Sequence, residues 1–298
     1  MRVRHLRLSY PLDLAGTLAP LRTGAADPTV RLARREAWRA VRTPDGAGTL
    51  HLASMPPTVV ATAWGPGAAW LLDTAPDVLG AGDHPEGFRP THPLLERLHR
   101  RHRGLRLCRS RCVVDALQRA VVEQKVTSVE AKRAWGRIVV GFGEPAPGPG
   151  GLLLPPAPDV LAQQPYFRFH PLGLERRRAE TLRRVCVHAA RLEDVSTLDP
   201  GEATRRLLAV NGVGPWTAAL VVRTALGDAD AVEVGDYHIP NLVAWNLAGE
   251  PRADDARMLE LLEPYRGHRG RAVRLLCLSG RWAPRFGPRQ PLRRLEAI

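Results

Sequence analysis

Two groups of residues in the stretch Leu207 to Pro240, LLAVNGVGPWTAALVVRTALGDADAVEVGDYHIP, have the types and spacing for chemistry. The first is the glycine turn Val210-Asn211-Gly212-Val213-Gly214, set between two helical patterns. Glycines separated by one apolar residue permit a tight, left-handed turn. Such a turn leaves successive amide N–H groups pointing outward at a helix N-terminus, where they suit a phosphate oxygen. Val213 is expected to pack inward, Pro215 to sit in the first turn of the next helix, and Thr217 to add a hydroxyl contact to the same phosphate. The second group is Asp236, preceded by Gly235 and followed by Pro240, which puts it at the start of a further helix. A carboxylate there is either a plain N-cap or a fixed negative charge for electrostatic and general-base work. The plain alternative for the hairpin is a glycine-capped interhelical turn. GVG alone fits that alternative, whereas in LLxVxGVGPWTA every position has a task. Asp228 and Asp230, in the intervening loop, read as turn residues.

The elements that must position these residues occupy 298 residues, enough for two or three packed units. A hydrophobic fraction of 44% and a charged fraction of 24% fit a soluble globular chain rather than a disordered one. The net charge of +13 and pI near 10.9 favour polyanionic partners, nucleic acid first. Part of that charge reflects free use of arginine, since Lys125 and Lys132 are the lysines of the chain. Cys108 and Cys112 have no second close pair to complete a zinc site, and Cys186 and Cys277 stand alone. Free thiols in a reducing cytoplasm are expected. The N-terminal residues lack the apolar run of a signal peptide, and no run approaches the ~18 apolar residues of a membrane span.

The fold class expected is α+β. Residues 1–91 read as a small antiparallel sheet, with strands in VRHLRLSY, TVRLARREAWRAVRT, GTLHLAS and TVVATAWG, and short helices at 13–22 and 67–80. From 92 to 282 the pattern is helical. A helix starts near Ser128 with Glu130 as helix-start chemistry, and residues 143–158 form a Pro/Gly connector. The arginine-rich helix LERRRAETLRRVCVHAARL follows, its arginines expected on a solvated face. Residues 283–298 form a basic, Pro-rich tail, expected to be partly disordered.

Leu207 to Ala218 resembles the helix-hairpin-helix motif of the base-excision DNA glycosylase superfamily, spanning 203–226, and VGDYHIP resembles that family's catalytic-aspartate segment. RGLRLCRSRCVVDALQRAVVEQKVTS, HPLGLERRRAETL and GHRGRAVRLL resemble segments of the 3-methyladenine DNA glycosylase II (AlkA) branch, and YPLDLAGTLAPLR resembles the opening of its sheet domain. The resemblance covers most of residues 5–282 and implies a two-lobed helical core at 92–282. It implies hydrolysis of the bond between a flipped base and its sugar, with Asp236 facing the positive charge that develops on C1′. Double-stranded DNA with a modified base is the implied partner, met by a monomer.

Strand-cleaving members carry a lysine after the hairpin, where this chain has Trp216. The implied enzyme is therefore monofunctional, leaving an abasic site. The wedge that fills the gap left by the flipped base maps to Lys125, with Gln124 as the alternative. A helix-end surface lysine is the plain reading of Lys125. The implied base pocket comprises Trp216, Leu220, Tyr237 and Cys277. Leu220 and Cys277 stand where relatives have aromatics, which weakens the case for cationic alkylpurines and leaves room for a bulkier base. Trp135, Tyr166, Phe167 and Trp245 are core candidates first. His170 and His268 are candidate acids for a neutral leaving base. No organic cofactor is implied, although relatives hold a monovalent cation on hairpin carbonyls. An alkylated purine is the default substrate. A bulky modified pyrimidine, such as a phage hypermodified cytosine removed in defence, and a non-catalytic lesion binder are the alternatives.

Overall fold

In the computed structural model, which describes residues 1–284, the N-terminal strands are β1 (Arg2–Arg7), β2 (Val30–Leu32), β3 (Glu36–Thr43), β4 (Gly46–Met55) and β5 (Thr58–Trp64). They form one antiparallel sheet in the order β1-β5-β4-β3-β2. The alternation expected of half-buried strands is present, with Leu50, Leu52, Val59, Ala61 and Ala63 turned to one core. α1 (Leu14–Leu18) and α2 (Ala68–Val78) cover that face. The run TVRLARREAWRAVRT is two strands, because Ala33 and Glu36 exchange backbone hydrogen bonds that turn the chain.

The helical part follows as α3 (Pro93–Arg101), α4 (Val113–Glu123), α5 (Ser128–Phe142), α6 (Pro158–Gln163), α7 (Tyr166–Phe169), α8 (Arg176–Val187), α9 (Ala189–Glu193), α10 (Pro200–Leu208), α11 (Pro215–Val221), α12 (Ile239–Ala248), α13 (Asp255–Leu262) and α14 (Arg269–Leu278). Thr127 and Glu130 close a capping box on α5, the local chemistry its start requires. Helices α4 to α11 share one core, including Leu117, Trp135, Ile138, Phe169, Leu182 and Leu207. Helices α3 and α12 to α14 share another, including Leu95, Val243, Met258, Leu262 and Leu276. The chain crosses between these two cores twice, between α3 and α4 and again between α11 and α12.

Three expectations are corrected. The connector contains a small hairpin, β6 (Glu144–Pro145) and β7 (Leu153–Leu154). The arginine-rich helix breaks at His188, which ends α8 and starts α9. Its arginines are not all solvated: the Arg178 side chain is 2% exposed and donates to the carbonyls of Val122 (2.6 Å) and Gly173 (3.1 Å). It thereby satisfies a C-terminal carbonyl of α4 that the helix leaves unpaired. From residue 285 onward the proposed tail lies outside the described residues. All four cysteines are free thiols. Among the described residues no helix is long and apolar enough to cross a membrane.

The sheet unit is tied to the helices through Asp27. Its carboxylate accepts from the Thr23 amide (2.7 Å), the Thr29 amide (2.9 Å) and hydroxyl (2.8 Å), Trp135 Nε1 (3.2 Å) and Arg119 Nη1 (2.6 Å). Arg119 lies on α4 with its guanidinium 4.5 Å from the Trp135 ring centroid. Burial by itself pushes Asp27 up, but the Arg119 charge and the two threonine amides outweigh it and hold the carboxyl below its usual range.

Candidate active site

The hairpin after α10 is anchored by Leu207 and Val213, both buried in the α4–α11 core, so Val213 packs inward as expected. Its two glycines do different work. Gly212 has φ +95°, and a Cβ there would sit 2.3 Å from Thr181 Oγ1. Gly214 is extended, and a Cβ there meets nothing within 4 Å. The fold therefore requires the first glycine and not the second. Gly212→Ala is expected to cost roughly 1–3 kcal/mol in backbone strain, before any cost of moving Thr181. Gly214→Ala is expected to stay within about 0.5 kcal/mol of the parent. Urea denaturation midpoints at equal slope check both. Similar losses for both would mean that the turn, and not α8, sets the requirement.

The side chains beside the hairpin depart from expectation. Thr217 is 2% exposed and its hydroxyl oxygen accepts from Gln124 Nε2 at 2.9 Å, so it is turned away from any phosphate. The same Gln124 amide donates to the Gly212 carbonyl at 2.9 Å. Gln124 is a brace for the hairpin, with its side-chain nitrogen committed to that turn. Lys125, next in the chain, is exposed in the turn between α4 and α5 with φ +52°. A lysine in that sparsely populated region is held there by its surroundings, and it projects from the face that Gln124 ties down. Of the hairpin carbonyls, those of Asn211 and Gly212 already accept from Arg184 (2.7 Å) and Gln124.

Asp236 comes from the crossing loop. Asp230 pairs with Arg269 at 2.5 Å and donates its backbone amide to Asp228 Oδ1 at 2.9 Å. The Gly235 amide donates to the Asp255 carboxylate of α13 at 3.1 and 3.0 Å. These ties fix the turn that presents Asp236. One carboxylate oxygen, Oδ1, accepts from the amides of His238 (2.7 Å) and Ile239 (2.9 Å) and so caps α12. The other, Oδ2, accepts from Trp216 Nε1 at 2.9 Å. One oxygen thus braces the backbone leading into α12 and the other holds the indole. The indole joins the hairpin helix of one core to the acidic residue of the other.

The remaining pocket residues divide. Trp216 and Leu220 lie on one face of α11, and Leu220 packs against the α4–α11 core. Cys277 faces them from α14, half-buried, and burial pushes its thiol up against the opposing effect of Arg223 and Arg274. Tyr237 is 83% exposed, so it does not line a pocket wall, because the Asp236-capped turn swings it outward beside His238. His268 packs against Phe88 and accepts from Arg271 Nε at 3.3 Å, and burial and the Arg271 charge hold it below its usual value. His170 packs against Tyr166 and makes no described contact with Asp236. Trp135 is core and Phe167 is exposed.

Sequence reasoning missed Arg223, which pairs with Glu233 close to Cys277. Its signal was available in part, since it follows Trp216 and Leu220 at helical spacing. Glu233 and Asp255 carried no local signal.

No family model matches the chain. Over 138 residues it is 33% identical to a Mycobacterium tuberculosis protein named probable bifunctional transcriptional activator/DNA repair enzyme AlkA, covering 45% of this chain and 27% of that protein. The chain thus spans about a quarter of the length of that relative. A 3-methyladenine DNA-glycosylase from Archaeoglobus fulgidus superposes with a TM-score of 0.76 at 19% identity, covering 92% of this chain and 97% of that one. A Clostridium acetobutylicum 8-oxoguanine glycosylase/lyase, in complex with double-stranded DNA, superposes at 0.67 with 14% identity, covering 93% and 96%. The chain has the fold of the helix-hairpin-helix DNA glycosylases, a sheet unit followed by helices, and its sequence relatives carry AlkA and 3-methyladenine glycosylase names.

Proposed function

We propose, starting from that fold, that the protein is a monofunctional DNA glycosylase that releases an alkylated purine from duplex DNA and leaves an abasic site. The observation that carries this reading is the bond between Trp216 Nε1 and Asp236 Oδ2 at 2.9 Å. It holds a carboxylate and an aromatic face at one point, beside the hairpin. The open space at Gly214 lets a DNA backbone approach the hairpin closely, and the net charge of +13 draws the duplex in, with affinity falling steeply as salt rises. Lys125 stands at the turn from which a side chain can fill the gap left by an extruded nucleotide, its stem serving as the plug.

Cleavage of the base–sugar bond builds positive charge on C1′. A carboxylate has about four acceptor positions, and Asp236 uses three of them on His238, Ile239 and Trp216. The remaining one faces the developing charge or orients the attacking water. Alkylation makes the base a cationic leaving group, which needs no protein acid. Trp216 offers its ring face to such a base while its N–H stays on the carboxylate. The same residue presents no amine, so no Schiff base forms at that position.

The test is incubation of the full chain with duplexes containing 7-methylguanine or 3-methyladenine, followed by mass spectrometry of the released bases. Release is expected with the strand intact until alkali is added, and borohydride is expected to trap no protein–DNA adduct. Release of no base from either duplex would remove the enzyme reading, and an adduct would replace the monofunctional reading with a lyase.

A further inference from the structure

Below Trp216 the pocket wall ends in charge rather than in aromatic rings. Trp216, Leu220 and Arg223 follow one another at four and then three residues, the spacing of a single helical face. After Val221 the helix widens into a π-turn, Val222–Leu226. Such turns re-aim side chains and recur at functional sites. Arg223 is the charged side chain carried on that turn, next to Thr224. At a rise of about 1.5 Å per residue it stands ~10 Å from Trp216 along the axis.

Arg223 is held by Glu233 from the crossing loop, with the two side chains 16% and 6% exposed. The pair is not self-sufficient. Among the described residues, Arg223 Nε and Glu233 Oε2 are both buried without a hydrogen-bond partner. A buried donor and a buried acceptor left open beside one another are costly in a native structure unless something completes them. Across the pocket, α14 presents Cys277 and, three residues earlier, Arg274, which donates to the Gly16 carbonyl at 3.0 Å. The Cys277 thiol feels the charges of Arg223, Arg274 and Asp236. Burial and the Arg274 charge bring Arg223 down to about 10, the mark of a guanidinium short of acceptors, though still charged at neutral pH.

We propose that Arg223 is a specificity-determining residue that reads the far edge of the extruded base and favours a purine with a carbonyl oxygen at its six-position. The inference rests on the glycosylase reading and narrows it. A guanidinium needs acceptors, and a guanine-type edge offers O6 where an adenine-type edge presents an amino donor. Glu233 Oε2 adds the complementary acceptor for a ring or amino N–H. Their ion pair offsets the guanidinium charge, so a cationic alkylated base is not repelled. Alkylation supplies the leaving group, and Arg223 chooses among alkylated bases, 7-methylguanine over 3-methyladenine.

The experiment measures single-turnover release of 7-methylguanine and of 3-methyladenine, each divided by its spontaneous rate of loss from the same duplex. The wild-type ratio is expected to favour 7-methylguanine. Arg223→Met combined with Glu233→Gln, which avoids leaving one buried charge alone, is expected to lower that ratio by about tenfold to a hundredfold, the span of one lost base-edge contact. Arg223→Lys keeps charge but not the fork and is expected to fall between. A ratio unchanged in the double variant, or two rates that fall together, would overturn the proposal, since a merely structural pair affects both bases alike. If the wild type frees neither base, affinities for duplexes with uncleavable 2′-fluoro-7-methylguanosine and 3-deaza-3-methyladenosine decide separately. An Arg223-dependent preference there keeps the edge reading while the enzyme reading falls, and its absence removes both.

Discussion

Asp236→Asn is expected to lower base release by about 10²–10⁴-fold, the range for losing a positioned charge or base at a reacting centre. The substitution preserves shape. An Asn side-chain oxygen still accepts from the amides of His238 and Ile239, so the start of α12 is kept. The new NH₂ then faces Trp216 Nε1, donor against donor, where the native oxygen accepts at 2.9 Å. Loss of that bond is worth about 1 kcal/mol of stability, too little to unfold the chain or to explain a rate loss of that size. Binding to a duplex with an abasic analogue is expected to persist. Trp216→Phe separates position from charge, since it removes the indole N–H and leaves the carboxylate, and a smaller rate loss is expected. An Asp236→Asn variant that released base within a few-fold of wild type would leave the carboxylate as an N-cap and nothing more. Retained binding with no release by wild type would favour a lesion binder.

Asp27→Ala is expected to destabilise the fold by about 3–5 kcal/mol, because it takes one of two carboxylates from the buried Arg119 guanidinium and leaves it Asp115 alone, at 3.2 Å. Arg119 and Asp27 side chains are 7% and 0% exposed. An exposed pair such as Arg205 with Glu202, 74% and 29% exposed, belongs to the class worth about 0–1 kcal/mol. The variant also leaves the amides of Thr23 and Thr29 and the Trp135 indole without their acceptor. The pH dependence has a definite sign. Asp27 is held below its unfolded value of about 4, so its contribution is complete above that value and declines as the pH falls toward the folded one. Urea denaturation from pH 7 downward is expected to show a weaker acid dependence in Asp27→Asn than in wild type. An Asp27→Ala chain as stable as the parent would mean that the sheet unit is held to α4 and α5 by apolar packing alone.

These two residues differ in how visible they were. Asp236 stood out because its neighbours are local: a glycine before it, a helix-start proline after it and a hairpin upstream. Asp27 lies in a loop whose sequence has no pattern, and its partners Arg119 and Trp135 are 92 and 108 residues away. The capping box of α5 and the strands of the sheet were legible for the same reason as Asp236, since caps and alternation act between residues a few positions apart. Thr217 was misjudged because its hydroxyl partner, Gln124, is 93 residues earlier. Tyr237 was misjudged because the direction of a side chain after a capped turn depends on the turn's geometry.

By itself the sequence determined the hairpin, the acidic residue beyond it, the indole in place of an amine and the change from sheet to helices. Each rests on residue chemistry acting over one or two turns of chain. Tertiary structure alone decided that Gln124 braces the hairpin, that the Trp216 indole grips Asp236 across two helical cores, and that Arg178 is buried. It also decided that Arg223, beyond Leu220 on the same helix, pairs with Glu233 of the crossing loop. Those contacts arise when separately specified elements pack, and the polar groups that packing removes from water must find partners wherever the fold has brought them.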